Sequence, residues 1–156
     1  MTDQSSDEAK LHRKLAVELF NRAWDLLDKA DRTQEEADEM IHAAHASRYH
    51  WGQIGTPLEF ERGEWQISRV YATLGRAEPA LYHAQRCLQI CQDNGIADFD
   101  IAFAYEAMAR GYAVAGDAGK SRKYLDLGNA AAERIEDDGD KQYALGELKS
   151  VAALLT

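Results

Sequence analysis

Residues 68–87 read SRVYATLGRAEPALYHAQRC, and residues 109–128 read ARGYAVAGDAGKSRKYLDLG. Aligned end to end, they pair Ser68 with Ala109, Tyr71 with Tyr112, Gly75 with Gly116, Ala80 with Ser121, Ala84 with Leu125 and Cys87 with Gly128. The interval is constant, as in 112 − 71 = 41. A fixed period of this size marks a supersecondary unit that buries its apolar face only by stacking on a neighbour. On either side of each glycine the apolar residues recur at three and four, the helical spacing. The unit is therefore two helices reversed at a glycine.

Helix signals continue outward from this pair. Thr56-Pro57-Leu58-Glu59 supplies an N-cap, a proline at the first helical position and a capping-box glutamate. A helix starts there and runs to Gly75, with Phe60, Ile67, Val70, Tyr71 and Leu74 on one face. Pro79 sits in the first turn of the next, and Asp93-Asn94-Gly95 closes it. Helices follow over about 98–115, with Asp98 as N-cap, and over about 118–135. An acidic turn at 137–140 precedes a last helix over 141–155. Upstream, Thr33 and Glu36 form another capping box, starting a helix towards Trp51 and a loop over 52–55. Leu11, Leu15, Leu19, Ala23, Leu26 and Leu27 predict a first helix from about Ser5 or Asp7 to about Lys29. Residues 1–8 are polar and acidic and read as a disordered tail, leaving 9–156 as one domain. No alternating strand pattern competes, so the expected fold is all-α.

The repeat resembles the tetratricopeptide repeat family, whose unit is a helix-turn-helix with small residues, an aromatic and a turn glycine at set places. Residues 56–93 carry this as Ser68, Tyr71, Gly75, Ala80 and Cys87, and residues 98–135 as Ala109, Tyr112, Gly116 and Ser121. The first hairpin matches through Ala37, Ile41 and Ala44 but lacks the glycine. The family period is about 34 residues, so the surplus here is close to two helical turns. The family's tryptophan and closing proline are absent from their usual positions. The resemblance implies a superhelix of about three hairpins plus a C-terminal capping helix. It also implies a concave groove, lined by the first helix of each hairpin, that binds protein segments.

That groove face would carry Arg62, Trp65, Arg69 and Thr73, and one period later Phe103, Glu106 and Arg110. Tyr105, Met108 and Tyr112 would face the core. Arginine forks suit carboxylates, and tryptophan and arginine are frequent interface anchors. The expected partner is thus a peptide or protein segment bearing carboxylate groups. The competing reading pairs Arg69 with Glu106 across neighbouring helices and half-buries Trp65.

The formal net charge of −9 opposes binding to a phosphate backbone. No run of about 18 apolar residues is present to cross a membrane, and Met1 to Glu8 has neither a basic nor an apolar leader segment. The expected location is the cytoplasm. Glu39, His42 and His45 share one side of a helix and form an alternative metal site, joined by Glu61 or Glu64. The plainer reading packs His45 between hairpins and bonds His42 and His50 to the loop at 52–56. Cys87 and Cys91, four apart on a helix, make neither a CxxC motif nor a disulfide framework and read as small buried side chains. Glu133 to Asp140 reads as a solvated charge run. No phosphate loop or nucleophile elbow occurs, so no catalytic residue and no cofactor is assigned. Three readings follow: an interaction module, a metal- or small-molecule-binding protein or enzyme, and a homo-oligomer in which a second copy covers an exposed end.

Overall fold

A computed structural model describes residues 2–156. Seven helices occur among them and no strand: α1 (Thr2–Leu27), α2 (Gln34–Ile54), α3 (Pro57–Thr73), α4 (Ala77–Asp93), α5 (Phe99–Val114), α6 (Ala118–Glu133) and α7 (Asp138–Ala153). The hairpins are α1/α2, α3/α4 and α5/α6, and α7 packs on the last of them. The odd-numbered helices touch in series, α1 on α3, α3 on α5 and α5 on α7. The backbones of α2, α4 and α6 do not approach one another, although the His45 ring of α2 meets the His83 ring of α4 at 5.4 Å. Odd helices therefore crowd on the inner side while even ones splay outside, which curves the stack into a superhelix.

The turns are built as the repeat dictates. Gly75 and Gly116 hold φ of 75° and 81°, which favours glycine. Behind each, the next amide reaches back to the aromatic's carbonyl at 2.9 Å, Arg76 to Tyr71 and Asp117 to Tyr112. This is the Schellman pattern of a helix end. The first hairpin lacks the glycine and ends α1 differently. Arg32 Nη1 donates to the carbonyls of Leu26, Leu27 and Lys29 at 3.0, 3.1 and 2.7 Å, so a guanidinium satisfies the terminal acceptors.

Within the two glycine-turn hairpins the same contact is made in opposite directions. Ser68 Oγ in α3 donates to the Ala80 carbonyl in α4 at 2.8 Å. Ser121 Oγ in α6 donates to the Ala109 carbonyl in α5, also at 2.8 Å. Serine and alanine have exchanged places across the period, and the hydroxyl still bridges the helix pair. Both serines are buried.

Two apolar clusters share α3. Ile67 and Val70 join Ala23, Leu26, Met40, Ala43 and Ala44 in the first. Trp65 belongs to the second, which runs through α4 and α5 to α7. A middle helix in a stack has neighbours on both sides, so the expected division of α3 and α5 into core and groove faces does not hold. Trp65, Phe103 and Glu106 are 9%, 7% and 1% exposed, while Tyr105 and Tyr112 are only half-buried.

Several boundaries also move. The expected disordered tail over 1–8 is helical from Thr2 onward, with Met1 outside the described residues. Extending a formed helix avoids the nucleation cost, so polar residues suffice there. α2 absorbs the expected loop and ends at Ile54. α7 begins early because Asp137 accepts from the Asp140 amide at 2.8 Å. Asp98 occupies the N-cap position of α5, with φ of 60° and no side-chain capping bond.

Candidate functional site

The inner face gathers all six expected groove residues, in two different states. In one half the charges are paired internally, although Arg69 Nε is buried without a hydrogen-bond partner. Glu106 Oε2 accepts from the Trp65 indole at 3.1 Å, and its Oε1 accepts from Arg110 Nε at 2.7 Å. Arg69 Nη2 lies 3.8 Å from Glu106 and donates to Glu147 of α7. Arg110 Nη2 also reaches Glu147 Oε2 at 3.4 Å and Ser150 Oγ at 2.9 Å. Trp65 and Glu106 are the same repeat position one period apart, as are Arg69 and Arg110. Stacking brings such equivalents side by side, and α7 adds the balancing carboxylate.

The other half is open. Phe20 and Trp24 of α1, Trp65 of α3, Phe99 and Phe103 of α5 and Tyr143 of α7 line a hollow of about 250 Å³. Ring centroids lie 5.7 Å apart for Trp24 and Trp65, 5.8 Å for Trp65 and Phe103, and 5.5 Å for Phe103 and Tyr143. Those separations are the ordinary range for aromatic pairs. Tyr143 is 53% exposed. Arg62, on the rim, donates through Nε and Nη2 to Asp100 at 2.9 and 3.2 Å. A larger hollow, about 540 Å³, lies between α5 and α6 around Ile101, Leu127 and Ala131, away from this constellation.

Glu61 and Asp100 also line the pocket. Glu61 is 2% exposed, and its Oε2 accepts from Cys87 Sγ at 3.3 Å and Cys91 Sγ at 3.5 Å. Its Oε1 is buried without a hydrogen-bond partner. Burial, then the neighbouring Asp100 carboxyl, push Glu61 up to about 10, so it holds its proton at neutral pH. Burial alone would raise Asp100 as well, but the Arg62 fork and a hydrogen bond from Glu61 together hold this carboxyl below its usual range. The hydrogen bond that Cys87 shares with Cys91, followed by burial, drives the Cys87 thiol well up. Cys87 and Cys91 are fully buried, as read from sequence, but they border a carboxyl rather than plain hydrocarbon.

The expected histidine set does not converge. Both Glu39 oxygens are taken by Arg22, at 3.2 and 2.8 Å. His45 Nε2 lies 2.9 Å from Tyr71 Oη, packed between hairpins, and His42 is exposed. Burial, then the His83 ring, lower the pKa of His45. His50 meets His12 of α1 at 2.8 Å rather than the loop. Glu64, the other suggested partner, accepts from His83 at 2.6 Å and faces Arg48. Among the described residues, the cluster whose donors do converge is Glu61, Cys87 and Cys91.

Sequence reasoning missed Asp100, Tyr143 and Glu147, and treated Glu61 only as a possible adjunct to the histidines. The signal within reach was the pair of cysteines, whose common helix face needed a partner on α3. No family model, curated protein or solved structure matches the chain.

Proposed function

We propose that the protein is a non-catalytic interaction module of tetratricopeptide-repeat-like design, holding a peptide or protein segment on its inner face. The anchor is a large apolar side chain of the partner, seated in the aromatic pocket. The observation that carries this reading is the convergence of six rings from four helices on one open hollow. Its volume of about 250 Å³ falls below the roughly 300–1,000 Å³ of small-molecule sites, and suits one side chain. Arg62, half exposed beside it, offers its remaining N–H donors to a partner carboxylate. Arg69 and Arg110 do not serve that role, since Glu106 and Glu147 already occupy them.

A random-peptide display selection against the full chain tests this. The expected peptides share an aromatic or large aliphatic residue, and Tyr143→Asp weakens their binding at least about tenfold, the loss of one apolar contact. Selected peptides that bind Tyr143→Asp undiminished would overturn the reading. Peptides recovered from this chain's own sequence, with a dimer by light scattering, would replace the foreign segment with a second copy.

A further inference from the structure

We propose that Glu61, Cys87 and Cys91 form a binding site for a thiophilic divalent cation of the zinc class. Three protein donors hold the ion, and its fourth position faces the aromatic pocket.

The spacing of the donors carries the assignment. Cys87 and Cys91 lie one helical turn apart on α4 and point at Glu61 of α3. One donor atom from each residue lies within 4.8 Å of both others. Tetrahedral zinc, with Zn–S of about 2.3 Å and Zn–O of about 2.0–2.2 Å, sets sulfur-to-oxygen edges of about 3.6 Å. The observed edges are 3.3 and 3.5 Å, so an ion fits between these atoms without backbone movement.

A second observation is independent of the spacing. Glu61 Oε1 has no hydrogen-bond partner although the side chain is 2% exposed, and the residue lines the pocket. A buried polar group left unmatched is costly, and two apolar residues would fill the space beside it as well as two thiols do. A cation would give Glu61 its missing partner and take both sulfurs, which now donate to Glu61 Oε2, as thiolate ligands. Two soft sulfurs with one carboxylate favour zinc over magnesium or calcium. The pocket provides the way in, and Asp100, clamped by Arg62, flanks the ligands from the solvent side.

The test is titration of the metal-free full chain with Co²⁺ and then Zn²⁺. One equivalent of Co²⁺ should give thiolate-to-metal charge-transfer absorption with the visible bands of a tetrahedral field, and Zn²⁺ should abolish both. In the same protein, Zn²⁺ should slow alkylation of the two thiols at least about tenfold. Cys87→Ala with Cys91→Ala should remove the absorption, Glu61→Gln should weaken binding at least about tenfold, and His42→Ala should change neither. No charge-transfer band at stoichiometric Co²⁺ would overturn the proposal. So would Zn²⁺ uptake that persists in the double cysteine variant, which marks an adventitious surface ion. If that variant does not fold, the wild-type spectrum and thiol protection decide alone.

Discussion

The two halves of the inner face are made from neighbouring positions of the same helices, yet they end in opposite conditions. Around Arg69, Glu106, Arg110 and Glu147 every charge meets a partner within the chain. Around Phe20, Trp24, Phe99 and Tyr143 the rings surround a space that nothing in the chain fills. The difference is made by α7, which brings Glu147 over one half and the stacked ring of Tyr143 to the other. A cationic residue at a groove position is therefore not by itself a recognition element. Stacking sets each repeat position against its equivalent, and Trp65 against Glu106 is a bond the period creates.

The largest effect is expected in the closed half. Glu106→Ala removes the common acceptor of Trp65 and Arg110 and leaves two arginines sharing the single carboxylate of Glu147. It should destabilise by about 3–5 kcal/mol, read as a lower urea midpoint. A loss under about 1 kcal/mol would show that this half is loosely solvated rather than closed.

The open half should respond in the other direction. In chelator-treated protein, Glu61→Gln replaces a buried carboxyl with a neutral amide of the same shape. It should stabilise at neutral pH by ~1–3 kcal/mol, the cost of a poorly matched buried polar group. The sign of the pH dependence follows from the raised pKa. Below about pH 4.5, Glu61 is protonated in both folded and unfolded chains. Above that the unfolded chain releases its proton while the folded chain keeps it up to about 10, so stability falls as pH rises across that window. Urea midpoints across this range should slope less for Glu61→Gln than for wild type. Parallel curves would show that Glu61 is ionised in the fold.

Smaller effects test the equivalence of the two hairpins. Ser68→Ala and Ser121→Ala should each cost about 0.5–1.5 kcal/mol, and by similar amounts. The swap Ala109→Ser with Ser121→Ala rebuilds in α5/α6 the arrangement of α3/α4. It should return to within about 0.5 kcal/mol of wild type by the same melts. Failure of the swap would mean the two interfaces are not the same contact.

Much of the fold was legible because its signals are local. Gly75 and Gly116 mark their turns by the positive φ they must adopt, and Thr33 and Thr56 mark helix starts by their glutamates three residues on. The small residues at 68, 80, 109 and 121 announce close helix approach. The end of α1 was read to within two residues, at about Lys29 against Leu27, but its device was not legible, because Arg32 does by a side chain what glycine does by backbone conformation. The pairing state of the six expected groove residues was not legible. Arg69 and Arg110 are paired by Glu147, which lies in a helix outside the repeat, so the 41-residue period gives no hint of it. Glu61 sits between Phe60 and Arg62, and its sequence setting suggests only an adjunct to the histidines. Only the packing of α4, which turns both cysteines onto it, makes it a buried carboxyl.

The most direct test compares one substitution from each half against the same selected peptide. Phe99→Asp places an acid at the first position of α5, where the helix tolerates it, and removes a ring from the pocket. Arg69→Lys keeps the charge in the closed half. Equilibrium binding should weaken at least about tenfold for Phe99→Asp and stay within about twofold for Arg69→Lys. Binding lost with Arg69→Lys and kept with Phe99→Asp would contradict the account.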